Sequence, residues 1–230
     1  MKLQLINSLL DLIYPPKCKV CNKVLNLNER YICLECLGNL PLARLSLEDD
    51  NKADKLFWGI VDFDKVLSYM LYTKGSNYTY LLHALKYQGE KELGEKLGAL
   101  MAKALPSSFF EKIDYLMPVP LHESKQKLRG YNQSEWLCKG INRVYPISIL
   151  PDGLIKTTAT DSQTTKDVFS RRNQGLHLFI QNKKYDLTNK RVLIVDDVLT
   201  TGATLIACRE ALNHVQGIQV SAVTFALTHE

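Results

Sequence analysis

Apolar positions recur at helical spacing in some segments of the chain and run unbroken in others, and the alternation of the two kinds predicts the architecture. Residues 77–88 (NYTYLLHALKYQ) and 90–105 (EKELGEKLGALMAKAL) carry the helical pattern, the second stopped by Pro106. Residues 131–144 (YNQSEWLCKGINRV) and 203–215 repeat it. β-Branched and aromatic residues gather instead at 61–73 (VDFDKVLSYMLYT), 113–120 (IDYLMPVP), 191–195 (RVLIV) and 218–227 (IQVSAVTFAL), which read as strands. Their apolar runs lack polar alternation, as in strands covered on both faces. The expectation is an α/β fold, a central parallel sheet with helices on each side.

Two polar stretches interrupt the pattern. Ser46 to Lys55 (SLEDDNKADK) reads as a linker or exposed loop and places a boundary near residues 40–56. Residues 156–180 (KTTATDSQTTKDVFSRRNQGLHLFI) form a long polar insertion with little period until its end. At the other end of the chain, Leu3, Ile6, Leu10 and Ile13 fall at helical spacing and predict a short amphipathic helix. Asn7, Ser8 and Asp11 interrupt that run and no small-residue cleavage site follows, so a targeting segment is not expected. No run of about 18 apolar residues occurs, so no membrane span is expected and the cytoplasm is the expected location.

Composition adds bounds rather than detail. A chain of 230 residues, 46% hydrophobic and 23% charged, is long enough for one ordinary globular domain plus an appendage. A net charge of +5 without a long Lys/Arg run tolerates a phosphate-rich ligand or nucleic acid but does not demand one.

The chemistry concentrates where the strand at 191–195 runs into Asp196 and Asp197. In open α/β sheets, ligands sit beyond the carboxyl ends of strands, so this strand delivers two carboxylates to the ligand crevice. The turn after them, Thr200-Thr201-Gly202-Ala203-Thr204, opens a helix whose free amides and dipole favour an anion. Acceptors for sugar hydroxyls thus lie beside donors for a phosphate, the pairing a ribose 5-phosphate needs. A lone Asp before a helix is usually only a cap; two of them, with a hydroxyl-rich turn after a β run, favour the phosphate–sugar site. Paired carboxylates also suit Mg²⁺. A Walker-type loop is a poor rival, because no Gly-Lys-Thr/Ser follows.

The run VLIVDDVLTTGAT (192–204) resembles the phosphoribosyl pyrophosphate (PRPP) signature of type I phosphoribosyltransferases. The resemblance implies that Asp196 and Asp197 hydrogen-bond the ribose hydroxyls and that Thr200, Thr201, Gly202, Ala203 and Thr204 cradle the 5-phosphate. Thr200 stands where purine-salvage members acting on hypoxanthine and guanine carry an acidic residue, and its hydroxyl has no pKa useful for base work. A second segment, PVPLHESKQKLRGYNQSEWL (118–137), leaves a buried strand through a basic loop and starts a helix at Tyr131 to Ser134. Leu121 and His122 lie at the strand end, and Lys125, Lys127 and Arg129 supply positive charge for a pyrophosphate. An ordinary solvated loop is the alternative for such a turn taken alone.

With RGYNQS and HALKYQGEKELGEKLG (83–98), the chain resembles the ComF family of competence-associated proteins, which carry a phosphoribosyltransferase domain behind an N-terminal zinc finger. The resemblance implies an N-terminal helix and zinc module over 1–45 and a parallel-sheet, type I phosphoribosyltransferase-like domain over 56–230. It implies PRPP with Mg²⁺ as ligand, with Asp196, Asp197 and Arg129 as catalytic residues for pentosyl transfer with release of pyrophosphate. The stretch 156–180 becomes a flexible lid, in which Gln163, Arg172 and Asn173 resemble the family pattern with departures in spacing. DNA uptake in natural transformation is the implied context. The competing reading is a factor that holds a nucleotide or single-stranded DNA at the same site without turnover. No motif names the acceptor.

Four of the six cysteines form two Cys-x-x-Cys pairs, Cys18 with Cys21 and Cys33 with Cys36, separated by eleven residues. Four thiolates complete a tetrahedron around Zn²⁺ and leave no position for water, so the site is expected to be structural. Disulfides are disfavoured in a reducing compartment, while an iron–sulfur cluster remains an alternative. A segment with so few core residues needs the metal in order to fold. Cys138 and Cys208, among apolar helical neighbours, read as core packing. Lys17, Lys19, Lys23 and Arg30, with Tyr14 and Tyr31, could touch nucleic acid, although a solvated face is the commoner role. The histidines show no ligand spacing; His122 alone sits where it could touch a pyrophosphate.

Overall fold

A computed structural model of the protein describes residues 15–43, 51–87, 89–157 and 178–228. Its strands are β1 (Val66–Tyr72), β2 (Tyr115–Pro118), β3 (Ser148–Ile149), β4 (Leu154–Lys156), β5 (Phe179–Gln181), β6 (Arg191–Leu199) and β7 (Gln219–Thr228). Its helices are α1 (Leu34–Gly38), α2 (Lys52–Lys55), α3 (Thr79–Tyr87), α4 (Lys91–Ala104), α5 (Ser107–Phe110), α6 (Glu123–Arg129), α7 (Gln133–Val144) and α8 (Ala203–Glu210).

Five strands form one sheet in the order β1-β7-β6-β2-β3, every neighbouring pair parallel. Progression runs outward from β2 to β3 on one side and from β6 to β7 on the other. The reversal between β2 and β6 opens a crevice at their carboxyl ends, the usual ligand position in such sheets. Parallel pairing requires cover on both faces, and alternate residues of the central strands supply it. Leu116, Leu193, Val195, Val223 and Phe225 share one core with Leu85 of α3, Leu97 of α4 and Leu137 of α7. Met117, Val192, Ile194, Val220 and Ala222 share the other with Ala53 of α2, Leu205 and Cys208 of α8, and Leu154 and Phe179. β4 and β5 form a separate antiparallel pair that brackets residues 157–178.

Helices α4 and α7 meet backbone to backbone. A Cβ on Gly140 would collide with the Glu95 carbonyl and with Gly98, and one on Gly98 would collide with the Leu137 carbonyl. This close approach fixes the height of α7, whose first turn reaches the crevice.

The cysteine segment packs on the same body. Cys18, Val20, Leu25, Ile32 and Leu40 belong to the core that holds α3 and α4. Residues 41–43 lie along the edge of β1, with Leu71 N–H donating to the Pro41 carbonyl at 2.7 Å and Ala43 N–H to the Tyr69 carbonyl at 3.0 Å. That pairing covers an otherwise open sheet edge.

Several sequence expectations need correction. The polar stretch 46–55 is not a linker throughout: Asn51, Ala53 and Asp54 are buried, and the Val66 amide donates to Asp54 Oδ1 at 2.9 Å. A polar residue is no guide to exposure when a strand end offers it a backbone partner. The basic loop after β2 is helical as α6, with His122 as its N-cap and Gly130 left-handed at its end. The strand at 191–195 continues to Leu199, because β7 pairs with it as far as Leu227, and the helix expected over 203–215 ends at Glu210. Residues 61–65 lie outside β1. The amphipathic N-terminal segment lies outside the described residues.

Candidate functional site

Because β6 runs past its β2 partner, Asp196 and Asp197 sit within the strand and at the mouth of the crevice. Ser134 in the first turn of α7 donates to Asp196 Oδ1 at 3.0 Å, and the Asp197 amide donates to the same oxygen at 2.9 Å. Lys86 of α3 lies 3.4 Å from Asp197 Oδ2. The two acids therefore differ. Asp197 has a cation, a partly buried pair worth about 1 kcal/mol. Asp196 has hydrogen bonds but no cation at salt-bridge distance among the described residues. Burial, and then the charge of Asp197, push its carboxyl up to about 7; the Asp197 amide, the Ser134 hydroxyl and Lys86 pull the other way. Near neutrality Asp196 can thus accept or donate a hydrogen bond.

The turn after the acids has the conformation an anion cradle needs. Gly202 adopts φ +80° at the N-cap of α8, and a Cβ there would also meet the Phe57 ring at 2.9 Å. Glycine brings no capping side chain, and Thr201 Oγ1 reaches the Ala203 amide only at 3.5 Å. The first-turn amides of α8 keep their donor capacity. Thr200, Thr201 and Thr204 are exposed beside them, and Ala203 is half-buried.

The wall from β2 carries the basic residues. Leu121 is half-buried, while His122 and Lys125 are exposed. His122 Nδ1 accepts from the Ser124 amide at 3.3 Å as it caps α6. Arg129 is directed elsewhere than a solvated loop would place it: Nη1 donates to Gln133 Oε1 at 2.8 Å, and the guanidinium lies 5.1 Å from the Tyr87 ring centroid. Ser134 and Lys86, which contact the two acids, are not singled out by the sequence alone. Ser134 could have been found, since it follows Asn132, which caps α7 and donates to the Val119 carbonyl at 3.0 Å. Lys86 has no local signal. Gln163, Arg172 and Asn173 lie outside the described residues.

Cys18, Cys21, Cys33 and Cys36 converge, their sulfur atoms all within 4.8 Å of one another. Tetrahedral Zn²⁺ with bonds of about 2.3 Å sets its sulfurs about 3.8 Å apart, and Cys21 and Cys33 stand at 3.7 Å. The amides of Val20 and Cys33 each donate to Cys18 Sγ at 3.4 Å. Burial raises the Cys18 thiol, but the amides of Cys21, Cys33 and Val20 outweigh it and bring the thiol down to about 7. The donor set fits a closed four-sulfur metal site. The segment is anchored as well: Tyr78 donates to the Asn39 carbonyl at 2.7 Å, Lys96 to the Arg30 carbonyl at 2.7 Å, and Lys19 pairs with Glu90 at 2.7 Å. Cys138 and Cys208 are fully buried in the two cores.

Parts of the chain are similar to known proteins. The phosphoribosyl transferase domain family matches residues 152–230. The DNA utilization protein YhgH of Escherichia coli K12 is 27% identical over 146 residues, 61% of this chain and 63% of the relative. Competence protein F of Haemophilus influenzae is 29% identical over 147 residues, 61% of this chain and 64% of the relative. Competence protein ComFC of Bacillus subtilis is 25% identical over 167 residues, 68% of this chain and 65% of the relative. Each match spans less than two-thirds of the relative's length. The chain is similar to competence protein F, ComFC and YhgH over part of their lengths, matches the phosphoribosyl transferase domain family over residues 152–230, and carries a four-cysteine cluster ahead of that region.

Proposed function

We propose that the crevice between β2 and β6 binds a phosphorylated pentose, PRPP above all, and transfers its pentosyl group to an acceptor with release of pyrophosphate. The observation that carries this reading is the juxtaposition of the Asp196–Asp197 pair with the left-handed Gly202 turn at the start of α8. Asp196 and Asp197 accept the ribose hydroxyls. The amides and hydroxyls of residues 200–204 hold the 5-phosphate.

In the transfer, the bond between the anomeric carbon and the pyrophosphate oxygen breaks, and its electron pair leaves with that oxygen. The acceptor supplies the new bond and loses its proton to solvent. Most of the acceleration comes from holding the two reactants in line and from positive charge near the departing group. Asp196 and Asp197 offer hard oxygen donors and fit Mg²⁺, which when bound with the ligand supplies charge against the pyrophosphate. In the cysteine cluster the four thiolates hold Zn²⁺ as a structural ion.

A role in DNA utilization or competence is part of this reading, supported by the names of the relatives. No helix among the described residues is long and apolar enough to cross a membrane. A second reading, in which the site grips a nucleotide or single-stranded DNA without turnover, draws on the relatives' names in DNA utilization and competence. Pyrophosphate release from PRPP and Mg²⁺ with pooled bases and amines separates the two. Release that disappears in Asp197→Asn supports transfer; PRPP binding without release supports the second reading; neither binding nor release rejects the site. A salt series on single-stranded DNA binding tests phosphate contacts directly.

A further inference from the structure

Each Cys-x-x-Cys pair is tied to one end of α3. At the N-terminal end Tyr78 starts the helix, its carbonyl accepting from the Leu81 and Leu82 amides at 3.1 and 3.4 Å. Its hydroxyl faces the second pair, 3.0 Å from the Cys36 carbonyl and 2.7 Å from the Asn39 carbonyl. Beyond the C-terminal end, Glu90 Oε1 lies 2.7 Å from Nζ of Lys19, which stands inside the first pair between Cys18 and Cys21. The four sulfurs all lie within 4.8 Å of one another, so the two ties share a single anchor.

The same helix brings a cation to the acid pair. Lys86, in its last turn, lies 3.4 Å from Asp197 Oδ2. A helix turns about 100° for each residue, so a small rotation of α3 carries Lys86 away from its partner. Leu81, Leu82, Ala84 and Leu85 bury the inner face of α3, but apolar packing is non-directional and does not by itself fix that rotation. Hydrogen bonds and ion pairs at the two ends are directional and do. The Tyr131 hydroxyl adds one more, donating to the Leu85 carbonyl. The last turn of α3 thus sits between the cysteine segment and the chain that leads into α7.

We infer that Tyr78 and the Lys19–Glu90 pair are positioning residues of the acid site, holding α3 at the height and rotation that bring Lys86 to Asp197. The cysteine segment is then part of the framework of the crevice rather than a separate appendage. For its effect on ligand the inference rests on the phosphorylated-pentose reading; the tie itself is tested without ligand. The size of the effect follows from the fraction of time α3 is in place. A helix in place for a fifth of the time lowers the apparent affinity about fivefold.

Acylation of the full chain by an amine-reactive reagent, read lysine by lysine by peptide mass spectrometry, tests the tie directly. Tyr78→Phe keeps the ring and loses both contacts to the cysteine segment. It is expected to raise modification of Lys86 about threefold or more. Lys65, which pairs with Asp54 of α2 at 3.1 Å, should not change. Lys19→Met should act as Tyr78→Phe does, and Lys19→Arg should restore the wild-type pattern. Unchanged Lys86 in both variants overturns the inference. A parallel rise at Lys65 also overturns it, because the cysteine segment would then hold the whole body rather than α3. Calorimetric titration with ribose 5-phosphate and Mg²⁺ carries the test to the site. Tyr78→Phe and Lys86→Met should each weaken binding about fivefold, and the double variant no more than Lys86→Met alone, since both changes remove one effect. Losses that multiply overturn the assignment while leaving the pentose site standing. A wild type that binds no ribose 5-phosphate removes the pentose reading, and the Lys86 modification then decides the tie.

Discussion

Ser134 donates to Asp196 across 3.0 Å, joining the first turn of α7 to the strand that carries the acid pair. Through this bond the helix packing sets the orientation of the carboxylate. The Gly98–Gly140 contact positions α7, Asn132 caps it against the Val119 carbonyl, and Ser134 passes that position to Asp196.

Replacing Ser134 by Ala tests the link. Asp196 Oδ1 keeps the Asp197 amide, so the stability loss should be small, about 1 kcal/mol. Ribose 5-phosphate binding should fall roughly 5- to 30-fold, the loss of one charge-assisted hydrogen bond that holds the acceptor in place. The hydroxyl is among the groups that lower the Asp196 pKa, so the variant titrates higher and should regain part of its affinity between pH 7 and 8.5. Calorimetry at the two pH values checks this; no pH-dependent recovery counts against the assignment.

Asp196 also predicts how stability depends on pH. Its carboxyl moves from 3.8 to about 7 on folding, so the folded protein holds more protons than the unfolded chain between these values. Stability from this group is therefore full below pH 4 and declines as pH rises to about 7. The full shift corresponds to about 4 kcal/mol, and solvent reaching a half-buried group reduces this to roughly 2. Asp196→Asn should remove the decline, making the variant more stable than wild type at pH 8 and nearly equal at pH 4.5. Urea denaturation at the two pH values provides the comparison. Asp196 thus belongs to the kind of residue whose retention costs stability.

The cysteine cluster shares a core with α3, the helix that carries Lys86 to Asp197. Metal analysis should find one bound ion per chain. Cys36→Ser, or a strong chelator, should lower thermal stability and free Tyr78 from the Cys36 and Asn39 carbonyls. Tyrosine fluorescence and unfolding with and without chelator report this. Identical unfolding curves would show that the cluster does not hold the segment together.

Gly140→Ala provides a stability test remote from the acids. The added methyl meets the Glu95 carbonyl and the Gly98 backbone, which cannot turn away as a side chain can. The expected cost is about 2–4 kcal/mol, measured by urea titration. A neutral effect would mean that α4 and α7 are farther apart than described.

Much of the site was legible because its signals are local. The acid pair, the Gly202 turn and the two Cys-x-x-Cys pairs each lie within a few residues, and strand and helix periods place them at element ends. What failed depended on distant pairing. β6 extends through its acids because β7 lies alongside, so the apolar run underestimates its length. Asn51 and Asp54 look like linker residues until Val66 arrives to accept from one and donate to the other. Lys86 reaches Asp197 from a separate element, α3, and no spacing in the chain announces their meeting.

A crystal structure of the protein soaked with PRPP and Mg²⁺ tests the central claim most directly. The account predicts the 5-phosphate on the amides of residues 200–204 and the ribose hydroxyls on Asp196 and Asp197. Ligand bound elsewhere, or a crevice filled by the protein's own side chains at saturating ligand, would contradict it.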